Sequence, residues 1–130
     1  MTLPELKLRA PLVEPETEAF WQAAEEGRFL LRHCNACGEL HHYPRFFCPF
    51  CMSRDLDWRE STGEGVIYTF TVNGRNMVPF APGMVTLDEG VTVPAGFVDC
   101  DFSQLQVGQR VKVVYLPSEG GAPIPFFRPL

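Results

Sequence analysis

No run of apolar residues in this chain approaches the roughly 20 needed to cross a bilayer, so no transmembrane helix is expected. The opening stretch, MTLPELKLRAPLVEPE, lacks an apolar h-region and is broken by prolines, so a signal peptide is not expected either. These two absences lead to the expectation of a soluble, cytoplasmic protein with reduced cysteines. Catalytic patterns are also lacking: there is no Ser/His/Asp order, no nucleophile elbow and no phosphate-cradling glycine loop. Positive charge is scarce, with 11 lysines and arginines against 16 acids and a net charge of −5. Residues 62–130 are net negative, which argues against a nucleic-acid groove there. Neither internal repeats nor low-complexity tracts occur. Hydrophobic residues make up 45% and charged residues 21%, which supports a packed core and excludes general disorder.

Turn formers are plentiful. Twelve prolines and 11 glycines in 130 residues favour short strands and turns over long helices. Residues 1–14 read as extended, because prolines recur too often for a helix. Pro15 suits the first position of one, and ETEAFWQAAEE from Glu16 to Glu26 predicts that helix, closed by Gly27. Phe20, Ala23 and Ala24 share one face with Trp21 at its margin. They read as a docking face or, on a functional reading, as the lining of a groove for a ligand or partner. Phe29–Arg32 and Glu39–Tyr43 predict a small hairpin that lacks its own apolar core.

After Ser53 the pattern becomes β. Leu56–Ser61, Val66–Val72, Met84–Asp88, Ala95–Asp101, Arg110–Leu116 and Ile124–Phe127 are predicted strands. Asp88-Glu89-Gly90 predicts a hairpin turn, and residues 73–83 a long loop. Short strands with long loops suit a small closed or partly open barrel such as an OB-fold.

The chain has five cysteines, and four of them form two C-x-x-C pairs separated by ten residues. Two adjacent knuckles can each supply one edge of a tetrahedron. Cys34, Cys37, Cys48 and Cys51 are therefore predicted to bind one metal ion, Zn²⁺ in preference to rubredoxin-type iron. Gly38 and Pro49 fit tight knuckle turns. Four protein thiolates leave no open coordination position, so the metal is expected to be structural. His33, His41 and His42 lie nearby but are not needed as ligands. Cys100 reads as a small buried residue in a strand. Arg28, Arg32, Arg45, Arg54 and Arg59 gather on and around the ribbon, as solvated surface or as a patch for an anion or an acidic partner.

An ordered set of motifs then stands out: Phe20-Trp21, Glu26–Cys34, Cys37-Gly38, Tyr43–Arg45, Cys48–Cys51, Trp58–Gly65 (W-x-x-S-T-G-x-G) and Val85–Gly90 (V-x-LDEG). Together they resemble the zinc-ribbon/OB-fold proteins that accompany acyl-CoA enzymes, and the resemblance covers nearly the whole chain. It implies a mainly β fold: an N-terminal segment and helix over residues 1–27, a rubredoxin-like zinc ribbon over 28–61, and a five-stranded OB-fold-like barrel over 62–130. It also implies a non-catalytic accessory subunit, hetero-oligomeric with a thiolase-superfamily enzyme or related aldolase, that assists acyl-CoA binding or channelling in C–C bond formation or cleavage. Phe46, Phe47 and Phe50 beside the second knuckle would be a costly exposed patch in a monomer. With Phe20, Trp21 and Arg45 they are the candidate partner or CoA surface. The competing readings are a nucleic-acid-binding zinc-ribbon/OB module, which needs a basic groove, and an independent enzyme, which needs an active site the motifs do not display.

Overall fold

The computed structural model of the chain describes residues 7–72 and 80–130. Helix α1 runs over Glu18–Glu25, shorter than the sequence pattern predicts. Its start is delayed because the Thr17 hydroxyl closes the preceding turn: Glu14 N–H donates to Thr17 Oγ1 at 3.1 Å, and Thr17 N–H donates to Glu14 O at 2.9 Å. Pro15 sits in that turn rather than in the helix. Gly27, at φ 75°, reverses the chain in a conformation that disfavours other residues.

Three antiparallel strands follow in the order β2-β1-β3: β1 (Phe29–Cys34), β2 (Leu40–His41) and β3 (Leu56–Ser61). The return strand predicted over Glu39–Tyr43 shrinks to two residues. β3 matches its predicted span and leads into a closed barrel of order β4-β5-β6-β8-β7. Its strands are β4 (Glu64–Phe70), β5 (Ala81–Leu87), β6 (Thr92–Phe97), β7 (Arg110–Ser118) and β8 (Gly121–Pro129). β6 and β8 close it in parallel through Phe97 opposite Phe127, and Val98 N–H donates to Phe127 O at 2.9 Å. β4 and β5 press together so closely that a Cβ on Gly65 would strike the carbonyl of Thr86, and one on Gly83 the carbonyl of Thr69.

The predicted strand over Ala95–Asp101 is displaced toward the N-terminus. Asp99 takes a left-handed φ of 54° and turns the chain, so Cys100 lies half-buried beyond the strand and not within it. The predicted loop over 73–83 falls partly outside the described residues, and Ala81–Gly83 belong to β5.

One apolar core runs through all three sequence regions. Phe20, Phe29 and Leu31 join Ile67, Val85, Val93, Phe97, Val111 and Phe127 in a single cluster. α1 packs on both β1 and β8, so the ribbon sheet borrows the core it is too small to make. Among the described residues no helix is long and apolar enough to cross a membrane.

Candidate metal centre and the surface around it

β1 ends on Cys34, and the two knuckles repeat one hydrogen-bond pattern. In the first, Cys34 N–H donates to Glu39 O at 2.9 Å and Gly38 N–H donates to Cys34 O at 2.8 Å. In the second, Cys48 N–H donates to Ser53 O and Met52 N–H to Cys48 O, both at 2.8 Å. Each pattern needs a left-handed residue after the second cysteine. Gly38 supplies it at φ 80° and Met52 at φ 67°.

These turns bring the four sulfurs together. All four Sγ atoms lie within 4.8 Å of one another, with Cys34–Cys51 and Cys37–Cys48 each at 3.6 Å. A tetrahedron of sulfurs at Zn–S bonds of about 2.3 Å has edges of about 3.8 Å, so the donor set fits Zn²⁺. Backbone N–H groups point at sulfur as well, from Cys37 to Cys34 Sγ at 3.5 Å and from Phe50 to Cys48 Sγ at 3.4 Å.

The thiols divide electrostatically. The N–H of Cys37 helps to lower the Cys34 pKa to about 7. The N–H of Glu39 pulls Cys37 down, but burial and the neighbouring sulfurs outweigh it and push Cys37 up to about 12. Cys51 is raised in the same way. Four sulfurs this close cannot all ionise without a cation among them, and a dication supplies that balance. With four protein thiolates around it, such a metal has no place for substrate or activated water.

None of the three histidines joins the sulfur cluster. His33 Nδ1 pairs with Asp57 at 3.0 Å. His42 is packed among rings, its centroid 5.4 Å from Phe20, 5.5 Å from Phe29 and 5.3 Å from Tyr43, and burial lowers its pKa to about 4. His41 is buried next to it in the chain and is not among the clustered sulfur donors.

The candidate surface residues separate into two groups. Phe20 is 1% exposed and is core, so the groove-lining reading of that residue gives way to the docking-face reading. Trp21 is buried too, and its Nε1–H donates to Tyr43 Oη at 2.9 Å, tying the helix to the ribbon. By contrast Phe46 (54% exposed), Phe50 (64%) and Met52 (67%) stand out from the ribbon tip, with Phe47 half-buried beside them. Arg45 is exposed there and, among the described residues, forms no ion pair. Of the other four arginines of the expected cluster, Arg28 is held by Glu60 at 2.7 Å, Arg32 stacks 4.1 Å over Trp58, Arg59 pairs with Asp57 at 3.5 Å, and Arg54 is exposed.

Sequence reasoning missed the role of Glu89. Its carboxylate reaches from the β5–β6 turn and accepts from Ser61 Oγ at 2.8 Å and Thr62 N–H at 2.9 Å. Asp88 beside it binds Arg110 through both oxygens, at 2.7 and 3.1 Å. The S-T-G and L-D-E-G motifs thus meet at the joint between ribbon and barrel. Their co-occurrence was the available signal, but nothing in a linear pattern says that they touch.

Residues 21–57 match the family described as "ChsH2, rubredoxin-like zinc ribbon domain", and residues 58–116 match "ChsH2, C-terminal OB-fold domain". The chain is 31% identical over 117 residues to a probable enoyl-CoA hydratase alpha subunit of Thermomonospora curvata, covering 85% of this chain but 37% of that protein. It is 28% identical over 89 residues to a DUF35 domain-containing scaffold protein of Methanothermobacter thermautotrophicus, covering 63% of this chain and 67% of the other. Among solved structures it is similar to a chain of the Ltp2-ChsH2(DUF35) aldolase, with a TM-score of 0.77, 27% identity, and 92% of this chain and 98% of that one covered. A four-cysteine ribbon feeding a closed five-stranded barrel, matched by both family descriptions in the same order, places this chain in the ChsH2/DUF35 family of zinc-ribbon and OB-fold proteins.

Proposed function

We propose that this chain is a non-catalytic subunit that docks on an acyl-CoA-processing enzyme. The partner is a thiolase-superfamily enzyme or related aldolase, and the chain assists acyl-CoA binding or channelling during C–C bond formation or cleavage in the cytoplasm. The observation that carries this reading is the ribbon tip. Phe46, Phe50 and Met52 are more than half exposed on a metal-braced scaffold, where a lone chain gains nothing from presenting them. The aldolase and hydratase-subunit assignments of the relatives support the same class of partner. The coordinatively closed metal supports a structural rather than a chemical role. A nucleic-acid role finds less support, because Arg110 on the barrel is already committed to Asp88 and Glu64.

Co-expression with a thiolase-like or aldolase protein encoded beside this chain tests the proposal. The two are expected to co-elute, and Phe46→Glu or Phe50→Glu is expected to weaken the complex about 30-fold or more, as for aromatic hot spots, while zinc content stays unchanged. A chain that elutes alone and shows no binding of an acyl-CoA thioester would overturn it.

A further inference from the structure

A cleft of about 590 Å³ opens between the ribbon and the β5–β6 turn of the barrel. Its walls include Leu40, Pro49, Phe50 and Val91, and Arg45 stands on its rim. This size, with apolar and polar groups mixed along the lining, suits a small organic ligand that carries a polar group.

The unusual feature is His41, which lines this cleft. It is 4% exposed, and among the described residues neither Nδ1 nor Nε2 has a hydrogen-bond partner; Nδ1 of the adjacent His42 is unpaired as well, but only His41 lacks a partner at both ring nitrogens. A buried polar group left unpaired forfeits the hydrogen bonds it made to water, so folded proteins rarely keep one without a use. Burial, with Arg32 and Arg45 nearby, favours the neutral ring, which still carries one N–H to donate. Arg45, on the same rim, offers a guanidinium that forms no ion pair among the described residues. Two carboxylates also line the cleft, but Glu89 is occupied by Ser61 and Thr62, and Glu39 is exposed to solvent. The exposed ring of Phe50 provides a face on which an apolar body can rest.

We propose that this cleft binds a small organic oxyanion, a carboxylate or phosphate ester with an apolar body, with Arg45 taking the charge and His41 donating its ring N–H. The cleft shares Arg45 and Phe50 with the candidate partner surface, but anion binding is read on the chain without a partner, so its failure and the failure of the docking reading are distinguishable.

The zinc-loaded, ¹⁵N-labelled chain is titrated with phenyl phosphate, benzoate and, as an uncharged control, benzyl alcohol, following the His41 ring nitrogens by NMR. Either anion is expected to shift them. Tighter binding of phenyl phosphate assigns a phosphate ester, and tighter binding of benzoate a carboxylate. Arg45→Gln and His41→Phe are each expected to weaken binding about tenfold, the loss of one charge-assisted or buried hydrogen bond. His41→Gln, which keeps a donor, is expected to recover part of it. His41→Phe is also expected to raise Tm, since it removes two unpaired buried nitrogens. If His41→Phe fails to fold, the exposed Arg45→Gln variant decides the matter. The proposal is overturned if the anions leave His41 unmoved, if benzyl alcohol binds as tightly as they do, or if Arg45→Gln leaves the affinity unchanged.

Discussion

In the barrel, strands β4 to β8 bury Ile67, Val85, Val93, Phe97, Val111 and Phe127 against one another. The distal ribbon, from Cys34 to Asp55, buries only Cys34, His41, Pro44 and Cys48. The first region stands on the hydrophobic effect, at about 25 cal/mol per Å² of apolar surface removed from water. The second has almost no such surface and stands on sulfur, backbone turns and a metal. One chain thus carries two kinds of stability, and they should respond to different perturbations.

The sharpest way to separate them is to remove the metal. Chelation, or Cys48→Ser, is expected to abolish amide protection across Cys34–Asp55, since metal binding in such sites is worth on the order of 10 kcal/mol. Barrel amides such as those of Val85 and Val113 should keep most of their protection. Hydrogen exchange reads both regions at once, and equal loss in both would erase the distinction.

Acid probes the seam between the regions. The folded pKa of His42 is lowered by burial to about 4, from a model-peptide value of 6.5. The unfolded chain therefore takes up the proton first. Stability from the neutral ring is complete above pH 6.5 and is lost as pH falls toward 4, by on the order of 2–3 kcal/mol. Thermal melts of the zinc-loaded chain between pH 7 and 5 should show this decline, and His42→Phe should flatten it. Metal release also contributes at low pH, so zinc content is followed in parallel.

A smaller effect is expected at the joint. Glu89→Ala leaves the buried Ser61 hydroxyl and the Thr62 N–H without their carboxylate, at a cost of about 1–3 kcal/mol in chemical denaturation. Chemical shifts are expected to move on both sides of the joint, at Thr62–Gly63 and at Val113, whose N–H donates to Gly63 O at 2.7 Å. The smallest effect lies within the metal site. Gly38 and Met52 occupy equivalent left-handed positions, and only the methionine is strained by it. Met52→Gly is expected to stabilise the metal-bound chain by about 1 kcal/mol, read as a higher Tm. A loss of stability would mean that the exposed Met52 side chain contributes more than its backbone costs.

Much of this architecture was legible in the residue order. The spacing of the four cysteines identified the ligands, and period-2 patterns located β3 within its observed bounds and β4 and β7 within about two residues. The strands that shifted are those rich in proline, which reads as a breaker. Pro94 and Pro125 are tolerated because β6 and β8 pair with each other only at Phe97 and Phe127, leaving the flank beside each proline without a ladder bond to lose. That tolerance depends on how the barrel closes, a long-range fact absent from any local window. The unpaired nitrogens of His41 were equally hidden, because a histidine in a sequence carries no sign of what it fails to touch.

The core shared by helix, ribbon and barrel also limits how this molecule can be cut. A graft of residues 28–61 alone would take the knuckles and their metal but strip Phe29 and Leu31 of α1, the helix that packs on both β1 and β8. It would also sever the Trp21–Tyr43 tie. Transplanting the ribbon tip onto another scaffold therefore requires carrying α1 along and supplying an apolar floor in place of the barrel.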